Sequence, residues 1–181
     1  MIHAANLITI SRIFLILPVL LLVSEEKNFS NWLALILFVL AGITDNLDGY
    51  IARKTGTESS TGALLDLVAD KLLVVLTTSY LISLVTNAYL LIPAMLIISR
   101  ELIISSLRQF LTEQVGSNPV KVSFIAKSKT TLQISALSFL IISPNFGENF
   151  HYLTIFLFWL AAIASVYSLY GYLKTYKKYI K

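Results

Sequence analysis

The sequence has no cysteine among its 181 residues and carries very little charge. Without cysteine there can be no disulfide or thiolate metal site, so any metal would need oxygen or imidazole ligands. Charged residues make up only 13% of the chain and hydrophobic residues 56%, whereas a soluble domain carries about 25% charge. This balance predicts an integral membrane protein, and we expect residues 1–181 to form a single domain.

Six apolar segments, each close to the ~20 residues that a membrane-spanning helix needs, predict an all-α polytopic fold. They cover approximately residues 7–23, 31–53, 62–86, 88–112, 122–143 and 150–173. Short polar or turn-forming stretches separate them, and the weakest break lies at Thr86-Asn87. The first segment lacks a small-residue cleavage site, so we expect a membrane helix there and not a removed signal peptide.

Basic residues lie almost entirely on one side of the predicted bundle. If both termini face the cytoplasm, the outer loops hold only Lys27 of the 14 Lys and Arg residues. The positive-inside rule therefore predicts cytoplasmic termini and a cytoplasmic loop over residues 54–61. In a soluble protein the formal charge of +4 would suggest nucleic acid, but here its distribution indicates a membrane surface, and we expect no nucleic-acid partner.

All four aspartates lie between residues 45 and 70. Asp45 and Asp48 are three residues apart, and Asp66 and Asp70 are four apart, so in a helix each pair shares one face. At 1.5 Å rise per residue the two pairs reach the same level, with the deeper members roughly 12 Å below the cytoplasmic ends of their helices. The sequence thus predicts four carboxylates that converge inside the membrane.

Ionised groups at such positions cost several kcal/mol each when unpaired. Four carboxylates without cysteine or clustered histidine favour hard divalent cations such as Mg²⁺ or Mn²⁺, and two ions would balance the charge. The alternative is that each aspartate caps a helix or pairs with Arg53, Lys71 or Arg100. One aspartate alone would favour that alternative, whereas four at matched depth favour a metal site.

The aspartates belong to a longer motif that resembles the complete signature of the CDP-alcohol phosphotransferase family: Asp45-x2-Asp48-Gly49-x2-Ala52-Arg53-x8-Gly62-x3-Asp66-x3-Asp70. The resemblance implies a site with two metal ions, at which Asp70 binds an ion and also serves as the general base. It also implies that the other metal ligands are Asp45, Asp48 and Asp66. It also implies that the CDP moiety of the donor contacts Gly49, Arg53 and Ser59, and Gly62 is small enough to let a ligand approach closely.

Near the N-terminus, Asn6-x2-Thr9-x2-Arg12 is similar to the stretch that lies near the nucleotide in this family. It adds Asn6 and Thr9 to the candidate contacts of CDP-diacylglycerol. An equally supported alternative is that Asn6 only caps the first helix.

Residues 99–108 and 127–131 resemble the branch of the family whose acceptor is glycerol 3-phosphate. Arg100 and Arg108 lie two helical turns apart and can line one cavity, and Lys127 and Lys129 can enter it from the next helix. Together these four cations would bind a dianionic phosphate. The alternative is that they are ordinary anchors at the membrane boundary. We expect Glu101 to orient an arginine and not to take part in the chemistry.

The resemblance implies a transferase of the bacterial cytoplasmic membrane that moves a phosphatidyl group from CDP-diacylglycerol to sn-glycerol 3-phosphate and releases CMP. Its partners would be these two substrates and membrane lipids, and a homodimer is left open. One rival keeps the chemistry with inositol phosphate, serine or phosphatidylglycerol as acceptor. The other rival, a small cation or proton transporter, is disfavoured because the acids cluster at one side of the membrane.

Overall fold

The computed structural model describes residues 4–55, 60–85, 87–115 and 124–177, and in these ranges it contains α-helices and no strand. The helices are α1 (Ala4–Ser24), α2 (Asn28–Thr55), α3 (Ser60–Leu84), α4 (Ala88–Val115), α5 (Phe124–Ile142) and α6 (Glu148–Tyr176). Each overlaps one of the predicted apolar segments, so the all-α prediction is confirmed. Within the helices, side chains are not described for residues 4–8, 45–55, 60, 61, 63, 66, 111–115, 124–128 and 175.

The connections between helices form where the sequence places polar and turn residues. Between α3 and α4, the side-chain oxygen of Asn87 accepts a hydrogen bond from the Tyr89 backbone N–H at 2.9 Å, which satisfies a free donor in the first turn of α4. Between α5 and α6, Ser143–Asn145 form one 3-10 turn, with Pro144 in its first positions, where the N–H that proline lacks is not needed for a helical hydrogen bond. Both predicted breaks are therefore confirmed.

The bundle core is built from small residues and a few large ones. Helix α1 packs against α2 and α3, α6 packs against α4 and α5, and α2 packs against α5. Ala34, Ala41, Ala136 and Ala161 are fully buried and let the helix backbones approach one another closely. Phe38 and other large apolar side chains fill the remaining space.

Among the described residues, three helices contain stretches long and apolar enough to cross a membrane: Leu67–Leu84, Ala88–Phe110 and Glu148–Lys174. Shorter apolar stretches cover Thr9–Ser24 and Asn28–Thr44. The outer faces of the helices are apolar as well; on α1, for example, Phe14, Leu17 and Leu21 are exposed. A surface of this kind is stable in lipid and aggregates in water, which makes this a membrane protein.

Candidate active site

A cavity of about 270 Å³ opens between α3, α4 and α5, and Gly42 of α2 also lines it. Among its lining residues are four basic and two acidic side chains, which leaves a formal excess of positive charge. The basic residues are Lys71, Arg100, Arg108 and Lys129, and the acidic residues are Asp70 and Glu101. Charges this deep in an apolar bundle are expensive, so a cavity with this lining is suited to an anionic ligand.

Glu101 lies at the centre of the charged cluster. Its side chain is only 14% exposed and accepts a hydrogen bond from Lys129, whose side chain is 6% exposed. Arg100 Nη1 lies 3.4 and 3.5 Å from the two carboxylate oxygens, and Gln133 Nε2 donates to Oε1 at 3.2 Å. These contacts satisfy the carboxylate with charge-assisted bonds. Glu101 thus contacts Arg100 as predicted, and it also holds a lysine and an amide.

Helix α6 supplies the outer contacts of the same cluster. Arg100 Nη2 donates to Ser168 Oγ at 2.8 Å, and Gln133 Nε2 donates to Ser165 Oγ at 3.1 Å. Arg108 Nη2 donates to the hydroxyl of Tyr172, and its guanidinium carbon lies 5.4 Å from the centre of that ring. Arg100 and Gln133 are therefore each held between Glu101 and a serine of α6, and Arg108 is held by Tyr172.

Asp70 is half-exposed on the cavity wall and pairs with a cation from α1. Its Oδ1 lies 3.3 Å from Nη1 of Arg12, whose side chain is completely buried. The sequence had offered Arg53, Lys71 and Arg100 as alternative partners for the aspartates. The structure shows Arg12 beside Asp70 because α1 packs against α3, and Thr9 is buried one turn before Arg12.

The other predicted site residues are described only by their helices or not at all. Asp45, Asp48, Gly49 and Arg53 lie in the C-terminal half of α2, and Gly62 and Asp66 lie in the first turns of α3. Of this set, the structure describes Gly62 fully, and the other side chains lie outside the described residues. The side chains of Asn6 and Lys127 lie outside them as well. Ser59 as a whole is not among the described residues. Among the side chains that the structure describes there is no cluster of three or more metal-binding groups, and Asp70 is the one aspartate side chain in that set.

The structure thus brings Asp70, Arg100, Arg108 and Lys129 to one cavity, and it adds two residues that the sequence did not select. Lys71 lines the cavity directly after Asp70, and Gln133 lies one turn after Lys129. A lysine and a glutamine inside apolar segments are unusual, and that signal could have identified both.

A bundle of apolar helices around a cavity lined with charge defines a membrane protein that acts on an ionic group. The profile of the CDP-alcohol phosphatidyltransferase family matches residues 2–167, and the chain belongs to this family.

Curated relatives share this similarity over almost their whole length. A protein of Rickettsia bellii is 41% identical over 178 residues, which covers 96% of this chain and 95% of the relative. A protein of Escherichia coli K12 is 36% identical over 168 residues, covering 93% and 91%. Both are named CDP-diacylglycerol–glycerol-3-phosphate 3-phosphatidyltransferase.

Proposed function

We propose that this protein transfers a phosphatidyl group from CDP-diacylglycerol to sn-glycerol 3-phosphate and releases CMP. The observation that carries the proposal is the similarity, over more than nine-tenths of the chain, to relatives named for this reaction. The cavity supports a phosphorylated acceptor, because such an acceptor needs cations to offset the carboxylates beside it, and the similarity selects glycerol 3-phosphate among such acceptors. A neutral acceptor would not need Arg100, Arg108 and Lys129 in one place.

We assign the acceptor phosphate to Arg100, Arg108, Lys127 and Lys129. Three of them line the cavity, and Arg100 and Lys129 are held there by Glu101. The acceptor hydroxyl would then lie near Asp70, which lines the same cavity from α3. As its oxygen forms a bond to the phosphatidyl phosphorus, the bond to CMP breaks and Asp70 accepts the hydroxyl proton.

Carboxylate oxygens are the ligands that hard divalent cations prefer, and this preference supports a metal site at the four aspartates. Asp70 offers carboxylate oxygens from a half-exposed position on the cavity wall. Asp45 and Asp48 are three residues apart on α2, and Asp66 and Asp70 are four apart on α3; in a helix, residues at this spacing share one face. We assign two Mg²⁺ or Mn²⁺ ions to these four residues; bound ions would neutralise the charge of the pyrophosphate.

We assign the CDP-diacylglycerol contacts to residues near the start of α1 and around the α2–α3 connection. They are Asn6, Thr9, Gly49, Arg53, Ser59 and Gly62. Thr9 is buried one turn from Arg12, and Arg12 touches Asp70, so this part of α1 lies close to the cavity. A donor bound here could leave its acyl chains in the bilayer.

For the membrane topology we propose six crossings, with both termini and the cavity on the cytoplasmic side of a bacterial cytoplasmic membrane. The asymmetry of the basic residues supports this orientation. Residues 1–181 would form one domain, and a homodimer is compatible with it.

The test is CMP release by purified protein from CDP-diacylglycerol with a panel of acceptors. We expect release with sn-glycerol 3-phosphate, little with inositol phosphate, serine, phosphatidylglycerol or free glycerol, and reversible loss on addition of EDTA. Equal release with glycerol or inositol would overturn the acceptor assignment. Failure to release CMP with any acceptor in the presence of Mg²⁺ or Mn²⁺ would overturn the reaction.

A further inference from the structure

One face of α6 presents three buried hydroxyl groups to the charged cluster. Ser165, Ser168 and Tyr172 follow at intervals of three and four residues, which places them on one side of the helix. Their exposures are 0%, 6% and 6%, so the hydroxyls lie inside the bundle. We call these three residues the hydroxyl row.

Each hydroxyl contacts a different member of the cluster. Ser168 accepts from Arg100, and Tyr172 accepts from Arg108. Ser165 accepts from Gln133, whose amide nitrogen also donates to Glu101. Since Glu101 in turn holds Lys129, the hydroxyl row reaches all three described cations that we assign to the acceptor phosphate.

The chemistry of these contacts suits positioning better than charge compensation. A guanidinium is planar, and two contacts at different nitrogens fix its orientation. For Arg100 these are Glu101 at Nη1 and Ser168 at Nη2. A hydroxyl oxygen is neutral, so it fixes the cation without cancelling the positive charge that an anionic ligand needs. A carboxylate in the same place would cancel it.

We propose that Ser165, Ser168 and Tyr172 are positioning residues that set the geometry of Arg100, Lys129 and Arg108 for the phosphate group of the acceptor. The proposal rests on the proposed function in taking that ligand to be a phosphate dianion. Ser168 and Tyr172 lie beyond residue 167, where the match to the family profile ends. They are therefore not part of the matched family pattern.

The test compares variants that remove a hydroxyl from the row with matched variants elsewhere on α6. Ser168→Ala and Tyr172→Phe remove row hydroxyls. Thr154→Val removes a fully buried hydroxyl of α6 that donates to the Phe150 carbonyl at 2.9 Å, and Tyr170→Phe removes one on the exposed face. Binding of inorganic phosphate and of glycerol 3-phosphate to the purified protein is measured, together with KM for each substrate.

We expect each row variant to bind both anions roughly tenfold more weakly, because a hydrogen bond to a charged group is lost and its orientation is relaxed. The KM for CDP-diacylglycerol should stay within about twofold, and both control variants should match the wild type. Ser168→Thr keeps the hydroxyl and should restore anion binding. A merely structural role would lower the melting temperature of row and control variants alike without this selectivity.

The outcomes separate this proposal from the proposed function. If the wild type binds inorganic phosphate and the row variants bind it more weakly, the positioning role stands even where CMP release identifies another acceptor. Unchanged anion binding in Ser168→Ala and Tyr172→Phe overturns the role, whatever the acceptor. So does a wild type that binds no phosphate, or a Ser168→Thr variant as weak as Ser168→Ala.

Discussion

The two ends of the bundle use buried polar groups in different ways. At one end, which we call the cavity end, Arg100, Glu101 and Lys129 form a charged cluster. At the other, the loop end, the connections α1–α2, α3–α4 and α5–α6 come together. There the Asn31 side chain donates to Asn145 Oδ1 at 2.8 Å, and Asn145 donates to the Asn28 carbonyl at 3.1 Å.

The interior of the loop end is held by amide, hydroxyl, imidazole and aromatic groups, without a buried ion pair among the described residues. His151 Nε2 lies 3.4 Å from Asn87 Nδ2, and its Nδ1 lies 3.4 Å from Ser143 Oγ. The ring of Phe150 stacks on those of Phe139 and Phe146, with ring centres 5.1 and 4.5 Å apart. Amide and hydroxyl pairs of this kind join helices at a small desolvation cost, whereas buried ions cost several kcal/mol each. If stability were the only requirement, amide and hydroxyl contacts could join the helices at both ends. The buried charges at the cavity end therefore point to ligand binding.

The largest expected effect is at the cavity end. Asp70→Asn should reduce CMP release by at least about 100-fold, because the amide cannot accept the acceptor's proton. Binding of CDP-diacylglycerol should remain measurable, since the residues that we assign to the donor are unchanged. The rate is measured with saturating Mg²⁺ or Mn²⁺, and near-normal turnover would show that Asp70 is not the base.

Glu101→Gln tests whether the charged cluster is held by its own carboxylate. Removing one partner of a buried ion pair costs about 3–5 kcal/mol, and Arg100 and Lys129 would both lose the carboxylate with which they pair, while Arg100 keeps its contact with Ser168. We expect a lower melting temperature and a higher KM for glycerol 3-phosphate. The control is Glu25→Gln at the loop end, where the pair with Lys27 is exposed to solvent and contributes little. Equal destabilisation by both changes would remove the contrast between the ends.

Arg108→Ala removes one cation from the cavity. A charge-assisted contact is worth roughly 1.5–3 kcal/mol, so KM for glycerol 3-phosphate should rise about 10- to 100-fold. The KM for CDP-diacylglycerol should change only a few-fold. Steady-state kinetics with each substrate varied in turn measure both values, and a change in the donor KM alone would reassign Arg108.

Asn145→Ala breaks both loop-end contacts of that side chain. The free energy of unfolding should fall by about 1–3 kcal/mol, because Asn31 and the Asn28 carbonyl lose a partner. The activity of the folded protein should be unchanged. Thermal unfolding and CMP release of the same preparation measure the two effects, and loss of activity without loss of stability would contradict a purely structural loop end.

The smallest effect concerns pH at the loop end. The hydrogen bond from Ser30 and the charge of Lys27 lower the pKa of Glu25 below its ordinary value of 4.5. A lowered pKa in the folded state stabilises the fold above pH 4.5, and this contribution disappears as the pH falls through the folded-state value. The small difference in melting temperature between wild type and Glu25→Gln should therefore vanish at low pH. A difference that grew at low pH would contradict a lowered pKa for Glu25.

The prediction of the fold rests on local signals, and these are strong in this chain. Hydropathy over ~20 residues locates a membrane helix without reference to any other part of the chain. Each of the six segments accordingly corresponds to a helix, and the turn residues at Ser143–Asn145 mark the α5–α6 connection. The count of six crossings stays a prediction, because length and composition identify three spans among the described residues.

The candidate site was predictable only in part. Charges inside apolar segments are unusual enough to select Asp70, Arg100, Arg108 and Lys129 one by one, and the structure brings these four to one cavity. The metal ligands Asp45, Asp48 and Asp66 stay predictions. Serine and tyrosine are common in membrane helices, so neither Ser168 nor Tyr172 gave a comparable signal.

The sequence by itself determined the helices, the membrane environment and the charged residues available for a site, because composition and periodicity act within one segment. Only the tertiary structure decided which of these residues meet. Arg12 reaches Asp70 across 58 residues of sequence, and Arg100 reaches Ser168 across 68. Such pairs depend on which helices pack together and how each is rotated about its axis, and no property of a single segment specifies either.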